Sequence, residues 1–400
     1  MRISTSMINQ TAVNGILQDE SALSNTQSQL ASGKSINTPA DNPVAAVQLL
    51  QLNNTSSQYG QYISNGQSAN TNLRLEEQAL SSSTTTLQSI RDLVVQANTG
   101  SNNTADLHNI ATQISALESQ LQGNANTQNA QGEFLFAGFS SGTQPFVRGS
   151  SGAMSYVGDS GARSVPLNGG TSVPTGDPGS AVFMNVPAGN GTFTTAAGTG
   201  NTGTGVIDTG SVTDQSSWVR GQYTISFSDA SDYTVTDGAG ATVASGTHNA
   251  ANGGNVAFDG VEVGITGAPA AGDTFTVSSS STQGVFDTLD NVVSALNNAG
   301  SSAAARAQLS STLGGSLQQI DQALNQVSTV TTNVASRISL ISSTGNALTS
   351  ATTTLTSQIS TLSDLDYAKA TSQYSQEVIA LQAAEQSYVA INQLSLFKYL

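Results

Sequence analysis

The apolar positions of this chain follow two periods, one of seven residues near both ends and one of two in the middle. Leu313, Ile320, Val327, Val334, Ile341, Leu348, Leu355 and Leu362 recur every seven residues without a break. Leu317, Leu324, Ile338 and Ile359 add a second stripe four residues after some of them. A heptad sustained this far predicts a long helix in a coiled-coil-like bundle. About fifty residues at 1.5 Å each make a rod of roughly 75 Å. Burying the first stripe would contribute on the order of 12–24 kcal/mol as an upper bound. Only Asp321 and Arg337 are charged between 313 and 362, and Ser and Thr fill the outer positions. Both are mediocre helix formers, so packing rather than propensity must hold the helix.

A matching half lies upstream. Asn42 and Pro43 read as an N-cap and a first helical residue, and Leu73, Leu80, Leu87 and Val94 then repeat at seven until Gly100. These four and the eight of the later stripe are the expected rod core. Ile110, Ile114, Leu117 and Leu121 predict a further helix. Ile8, Ala12, Ile16, Leu23 and Leu30 line a first helix that Gly33 and Pro39 stop.

Near the other end, Ser363 and Asp366 stand at capping-box spacing. Tyr367, Ala370, Tyr374, Val378, Leu381, Ala384, Tyr388, Ile391 and Leu394 follow at threes and fours. The last residues, Leu394, Leu396, Phe397, Tyr399 and Leu400, are apolar where chain ends are usually polar and frayed. Each end helix is too small to make a stable domain alone. Pairing with each other and with neighbouring copies is the expected cover, and assembly the expected source of their order. The candidate assembly residues are therefore Ile3, Ile8, Ile16, Leu23, Leu30, Tyr374, Val378, Leu381, Tyr388, Ile391, Leu394, Leu396 and Phe397.

Between the helical arms, QYTISFS (222–228) and DYTVTD (232–237) alternate at period two, and DTFTV (273–277) is a last strand. Asp237–Gly238 and Asp259–Gly260 are hairpin signals. The order α–β–α predicts an α+β multidomain chain in which an all-β domain is inserted into a helical bundle built from both ends. The expected divisions are 1–40, an N-terminal assembly helix; 41–140, the first half of the rod; 141–282, the β domain; 283–362, the second half of the rod; and 363–400, a C-terminal assembly helix.

Composition narrows the function. Of 400 residues only 9% are charged, with a net charge of −15. No basic face exists to hold a phosphate backbone, which argues against nucleic acid. Lys and Arg are scarce on the end helices, which argues against an anionic membrane surface. No stretch approaches the length of a membrane helix, so no membrane insertion is expected. The opening MRISTSMINQ has no apolar core and no cleavage site, so export without a cleaved signal is the expectation. The absence of cysteine removes disulfides and thiolate chemistry.

The candidate chemical motifs carry little. GTGNTG (198–203) fits G-x-G-x-x-G by letter, but no buried strand precedes it and no helix follows. His108 and His248 lie in different blocks with no ligand-spaced partner, so no metal site is expected. Glu76–Glu77 reads as a solvated helix face, and Asp364 and Asp366 as helix-start charges. Three sequons, at Asn53, Asn102 and Asn190, fit a chain rich in Asn and Thr. No catalytic constellation and no cofactor site emerge.

Five stretches carry a resemblance. MRISTSM (1–7), LASGKSINTPADNPVAA (30–46), GEFLFAGF (132–139), FDGVEVGITGAPAAGDTF (258–275) and the run from Asp364 to Leu400 are similar to the flagellin-related family, and most of all to its hook–filament junction branch. Residues 145 to 215 have no counterpart in that pattern. The resemblance implies a structural subunit of the bacterial flagellum, extracellular, with terminal helices innermost in an axial tube. It implies export in the unfolded state through the flagellar type III apparatus, with a chaperone on the C-terminal helix. It also implies a ring oligomer of the chain itself between hook-associated protein 1 and the first flagellin subunits. The filament subunit, flagellin, remains open, although its C-terminus usually ends in a polar or Arg-bearing tail. Outside the family, a secreted adhesin or a membrane-active translocator also remains open. An enzyme is the class the sequence supports least.

Overall fold

The structure, a computed structural model, describes residues 5–150, 152–249 and 253–393. The chain divides into two compact units, residues 1–64 with 343–400, and residues 65–342. The α-helices among the described residues are α1 (Thr5–Ser32), α2 (Pro43–Ala97), α3 (Thr104–Ala125), α4 (Val285–Asn297), α5 (Ala303–Ser363) and α6 (Tyr367–Gln393).

Their boundaries follow from local chemistry. α1 ends at Gly33, whose φ of +70° is open to glycine and whose N–H donates to Gln29 O at 2.8 Å. α2 starts where Asn42 Oδ1 accepts the N–H of Ala45 at 3.1 Å, with Pro43 at the position that needs no donor. α3 opens with a full capping box between Asn103 and Asp106, which the apolar pattern alone did not disclose. At the start of α6 the structure corrects the expected capping box. Ser363 is buried and is the last residue of α5. Asp366 is itself the cap, accepting the N–H of Lys369 at 3.1 Å.

The larger unit holds two separate cores. One gathers Leu73, Leu80, Leu87 and Val94 of α2, Ile110, Ile114 and Leu121 of α3, Leu289 and Val292 of α4, and Leu313, Ile320, Val327 and Val334 of α5. An aromatic cluster closes it, with Phe183 edge-on to Phe136 at 5.6 Å and to Phe146 at 5.5 Å. Phe183 comes from a five-residue π-helix, Ser180–Met184, that the sequence pattern did not predict.

Among the described residues, fifteen short strands make up the insertion. The first five are β1 (Phe146–Arg148), β2 (Met154–Tyr156), β3 (Ser164–Pro166), β4 (Ser172–Pro174) and β5 (Val186–Pro187). Next come β6 (Phe193–Ala197), β7 (Val206–Ile207), β8 (Ser211–Val212), β9 (Gln222–Phe227) and β10 (Asp232–Thr236). The last are β11 (Thr242–Thr247), β12 (Gly254–Phe258), β13 (Val261–Thr266), β14 (Thr274–Ser279) and β15 (Thr282–Gln283).

The main sheet has the order β11-β10-β9-β14-β6 and the second β12-β13-β7, with β8 also on β13. Their inward residues, among them Phe193, Ile225, Val235, Val263, Phe275 and Val277, form the second core. Asp259 (φ +42°) and Gly260 (φ +76°) make the two-residue turn that an Asp–Gly pair favours. At Asp237–Gly238 the turn is longer than that signal suggests. Asp237 N–H donates to Ala241 O at 2.9 Å, and the positive φ, +84°, falls on Gly240.

The part of the insertion from β6 to β14 leaves and returns at one place. β5 pairs antiparallel with β15, and Ala188 N–H donates to Ser281 O at 2.8 Å. Side chains of α5 brace the base, with Gln319 accepting from Gly189 N–H at 3.0 Å and Ser311 from Ile207 N–H at 3.3 Å.

Candidate assembly interface

Within the unit that holds both chain ends, α1 packs along α6. The two run antiparallel from a short bridge where they meet. Leu365 N–H donates to Gly33 O at 3.0 Å and Ser35 N–H to Ser363 O at 2.7 Å. Among the shielded positions of each helix, one set falls at alternating spacings of four and three. On α1 they are Ala12, Ile16, Asp19, Leu23, Thr26 and Leu30; on α6 they are Ala370, Tyr374, Glu377, Leu381, Ala384 and Tyr388. Of these only Thr26 and Ala370 are fully buried. The seam is therefore a sparse heptad with a carboxylate on each side, and its apolar burial is modest.

Most of the predicted assembly residues lie on this seam. Ile16, Leu23, Leu30, Tyr374, Val378, Leu381 and Tyr388 are half-buried, and Ile8 is 40% exposed. Ile3, Leu394, Leu396 and Phe397 lie outside the described residues, and only the helical backbone of Ile391 is described. The intrachain pairing thus occupies much of the stripe read from the sequence.

A second apolar set stays open to solvent. Met7 and Leu17 of α1, Val44, Val47 and Leu50 of α2, and Ile379 and Val389 of α6 are all more than half exposed. Together with Ile8 and Tyr367 they are nine of the fourteen large hydrophobic residues still exposed among the described residues, in a unit holding under a third of the chain. Such a concentration marks a surface meant for cover. Val44, Val47 and Leu50 stand three apart directly after the Asn–Pro cap, a pattern too short to stand out in the sequence beside the heptads.

The residues expected in the rod core divide by place. Leu73, Leu80, Leu87, Val94, Leu313, Ile320, Val327, Val334 and Ile341 are buried in the larger unit. Leu348 is buried in the other unit, where Leu355 and Leu362 are only half-buried.

The chemical motifs resolve into structure. The loop GTGNTG folds around an internal carboxylate. Asp273, almost fully buried, accepts the N–H groups of Thr202 at 2.8 Å, Gly203 at 3.0 Å and Ala270 at 2.9 Å. A Cβ on Gly203 would stand 2.4 Å from Ala270 N. The place a phosphate would take is filled by the chain's own side chain.

Two sequon asparagines are engaged. Asn190 donates to Thr209 O and Gly210 O, and Asn102 to Gln96 O at 2.6 Å. His108 is exposed on α3, whereas His248 is buried against Phe227. No group of three or more metal-ligating side chains occurs among the described residues.

Glu76 departs from its expected place. The pair Glu76–Glu77 read as a solvated face, yet Glu76 is 0% exposed. It lies one turn beyond Leu73 and one before Leu80, on the face that α2 turns to the core. Burial first, and the Asp177 carboxylate second, push its carboxyl up to about 8. Arg337 is close, but its two terminal nitrogens are taken by Asp177 at 2.8 and 3.0 Å.

Comparison with known proteins agrees with this architecture. Residues 3–141 match the bacterial flagellin N-terminal helical region, residues 317–400 the bacterial flagellin C-terminal helical region, and residues 196–279 the D2-like domain of flagellar hook-associated protein 1. Flagellar hook-associated protein 3 of Escherichia coli is 31% identical over 186 residues, which is 46% of this chain and 58% of that protein. The chain thus spans a little over half the length of the curated relatives it matches.

Solved structures extend the likeness. FlgL of Xanthomonas campestris is 32% identical, with a TM-score of 0.70 over 75% of this chain and 98% of that one. The flagellar junction protein FlgL of Legionella pneumophila is 29% identical, with a TM-score of 0.69 over 74% and 99%. On the fold and on these likenesses together, the chain belongs to the flagellar hook-associated protein 3 (FlgL) family of flagellin-related proteins.

Proposed function

We propose that the chain is a structural, non-catalytic subunit of the bacterial flagellum that forms a junction ring between hook and filament. The observation that carries this reading is the unit holding both chain ends, where α1 and α6 pair loosely and leave a second apolar set open. Its likeness to the Legionella junction protein supports the placement at that site.

In this reading the inner seam joins the two ends of one subunit. The outer set, with Ile8 and the terminal residues Ile3, Ile391, Leu394, Leu396 and Phe397, buries against neighbouring subunits, hook-associated protein 1 and flagellin. Before assembly a chaperone covers the C-terminal helix, and export proceeds without a cleaved signal. Ordering of the ends is completed by assembly.

The deciding measurement is copy number. Quantitative mass spectrometry of purified hook–filament structures is expected to find the chain as a trace component in fixed ratio to hook-associated protein 1. Abundance equal to the bulk filament would make it a flagellin, the reading to which the names of the two terminal matches lend weight. Absence from the structures would overturn both.

A further inference from the structure

We propose that Glu76 is a neutral acid acting as an alkaline-sensitive latch, which holds the segment before the π-helix to α2 while its proton is in place. The geometry begins with a carboxyl that has one partner. Oε1 accepts the N–H of Asp177 at 3.0 Å, while Oε2 is buried without a hydrogen-bond partner. Gly176 lies against it, and a Cβ there would stand 3.6 Å from Oε2. A charged oxygen in such a place is buried with no protein donor to offset its burial.

The charges around the site do not supply one. From the loop comes Asp177, a like charge. From α5 comes Arg337, held by Asp177. Arg163, which lines a small cleft with Gly176 and Asp177, is paired with Glu133 at 3.1 Å. On α2 itself, Arg74 is exposed and bonded to Asn70, and Glu77 is only half-buried.

What the latch holds follows from the chain path. Residues 175–179 run directly into the π-helix that carries Phe183. Thr175 N–H donates to Arg163 O at 2.7 Å and Gly179 N–H to Phe136 O at 2.8 Å. Ionising Glu76 would set two carboxylates side by side, one of them fully buried, and push this segment, and Phe183 with it, away from α2.

The direction with pH follows from linkage. The folded chain keeps this proton up to about pH 8, whereas the ordinary value is 4.5. Between those values the folded state binds more protons than the unfolded one, so stability falls as pH rises through the window and levels off above it.

Two measurements test the latch. The melting temperature of the full chain is expected to drop by several degrees between pH 6 and pH 9, and Glu76→Gln to remove most of that drop. Glu118→Gln, which deletes another carboxyl raised by burial, is the control and should keep the slope up to about pH 8. On the unmutated protein, carbon-13 NMR of the glutamate side-chain carboxyls should show one group titrating near pH 8. An unchanged slope in Glu76→Gln, or no glutamate titrating above pH 7, would overturn the proposal.

Discussion

Asp273 shows how a single side chain can settle what a sequence motif means. A glycine-rich loop offers backbone N–H groups, and the letters alone do not say which anion receives them. Here a buried carboxylate from the same chain takes two of them, with a third from Ala270, and ties the 198–203 loop to the turn before β14. Asp273→Asn puts an amide N–H where an acceptor is needed. It is expected to destabilise the β domain by about 1–3 kcal/mol, because buried donors lose their partner. Trp218, the only tryptophan, packs against Phe193 at 5.7 Å and Tyr223 at 5.6 Å and reports unfolding of that core by fluorescence. A melting curve unchanged from wild type would show that the loop holds without the carboxylate. Glu76 teaches the complementary lesson. Its letter suggested a solvated face, but its position one turn from Leu73 and Leu80 placed it in the core.

At the scale of elements, the helices were legible because their apolar residues repeat at a helical period and their ends carry Asn–Pro, Gly and Asp signals. Of the longer strands, β9, β10 and β14 were legible in QYTISFS, DYTVTD and DTFTV, whereas β11, β12 and β13 were not read as strands. The π-helix, the three-residue strands before it and the two-residue strands after it were not legible, since pieces so short carry too little pattern.

The α1–α6 seam yields a prediction of this scale. Leu381→Asp places a charge on the half-buried face toward α1, whereas Ile379→Asp changes a residue that is 65% exposed. Both variants are expected to yield soluble chains that fail to enter hook–filament structures. Only Leu381→Asp is expected to lower the helicity of the free protein, read by far-ultraviolet circular dichroism. If either variant supports full filaments, its face of α6 is not an assembly surface.

For the whole molecule, the separation of the two cores in the larger unit matters most. The second core lies wholly between Phe193 and Val277, and the chain enters and leaves that region through hydrogen-bonded neighbours at Ala188 and Ser281. Replacing residues 190–279 by a short glycine linker is therefore expected to leave the helical core folded. Its melting temperature should fall by no more than a few degrees, reflecting the lost brace from Ser311 to Ile207, while the brace from Gln319 to Gly189 stays in place. Loss of the cooperative helical transition would show that the insertion is part of that core.

By itself the sequence determined the helical arms, the β insertion and the family, because period, caps and recurring stretches are local properties of the chain. Tertiary structure alone decided which apolar face each terminal helix shows. α1 and α6 cover one stripe with each other and leave Leu17, Ile379 and Val389 outside. Both stripes are apolar in the sequence. Burial is a property of what lies opposite a residue, and what lies opposite comes from more than 300 residues away.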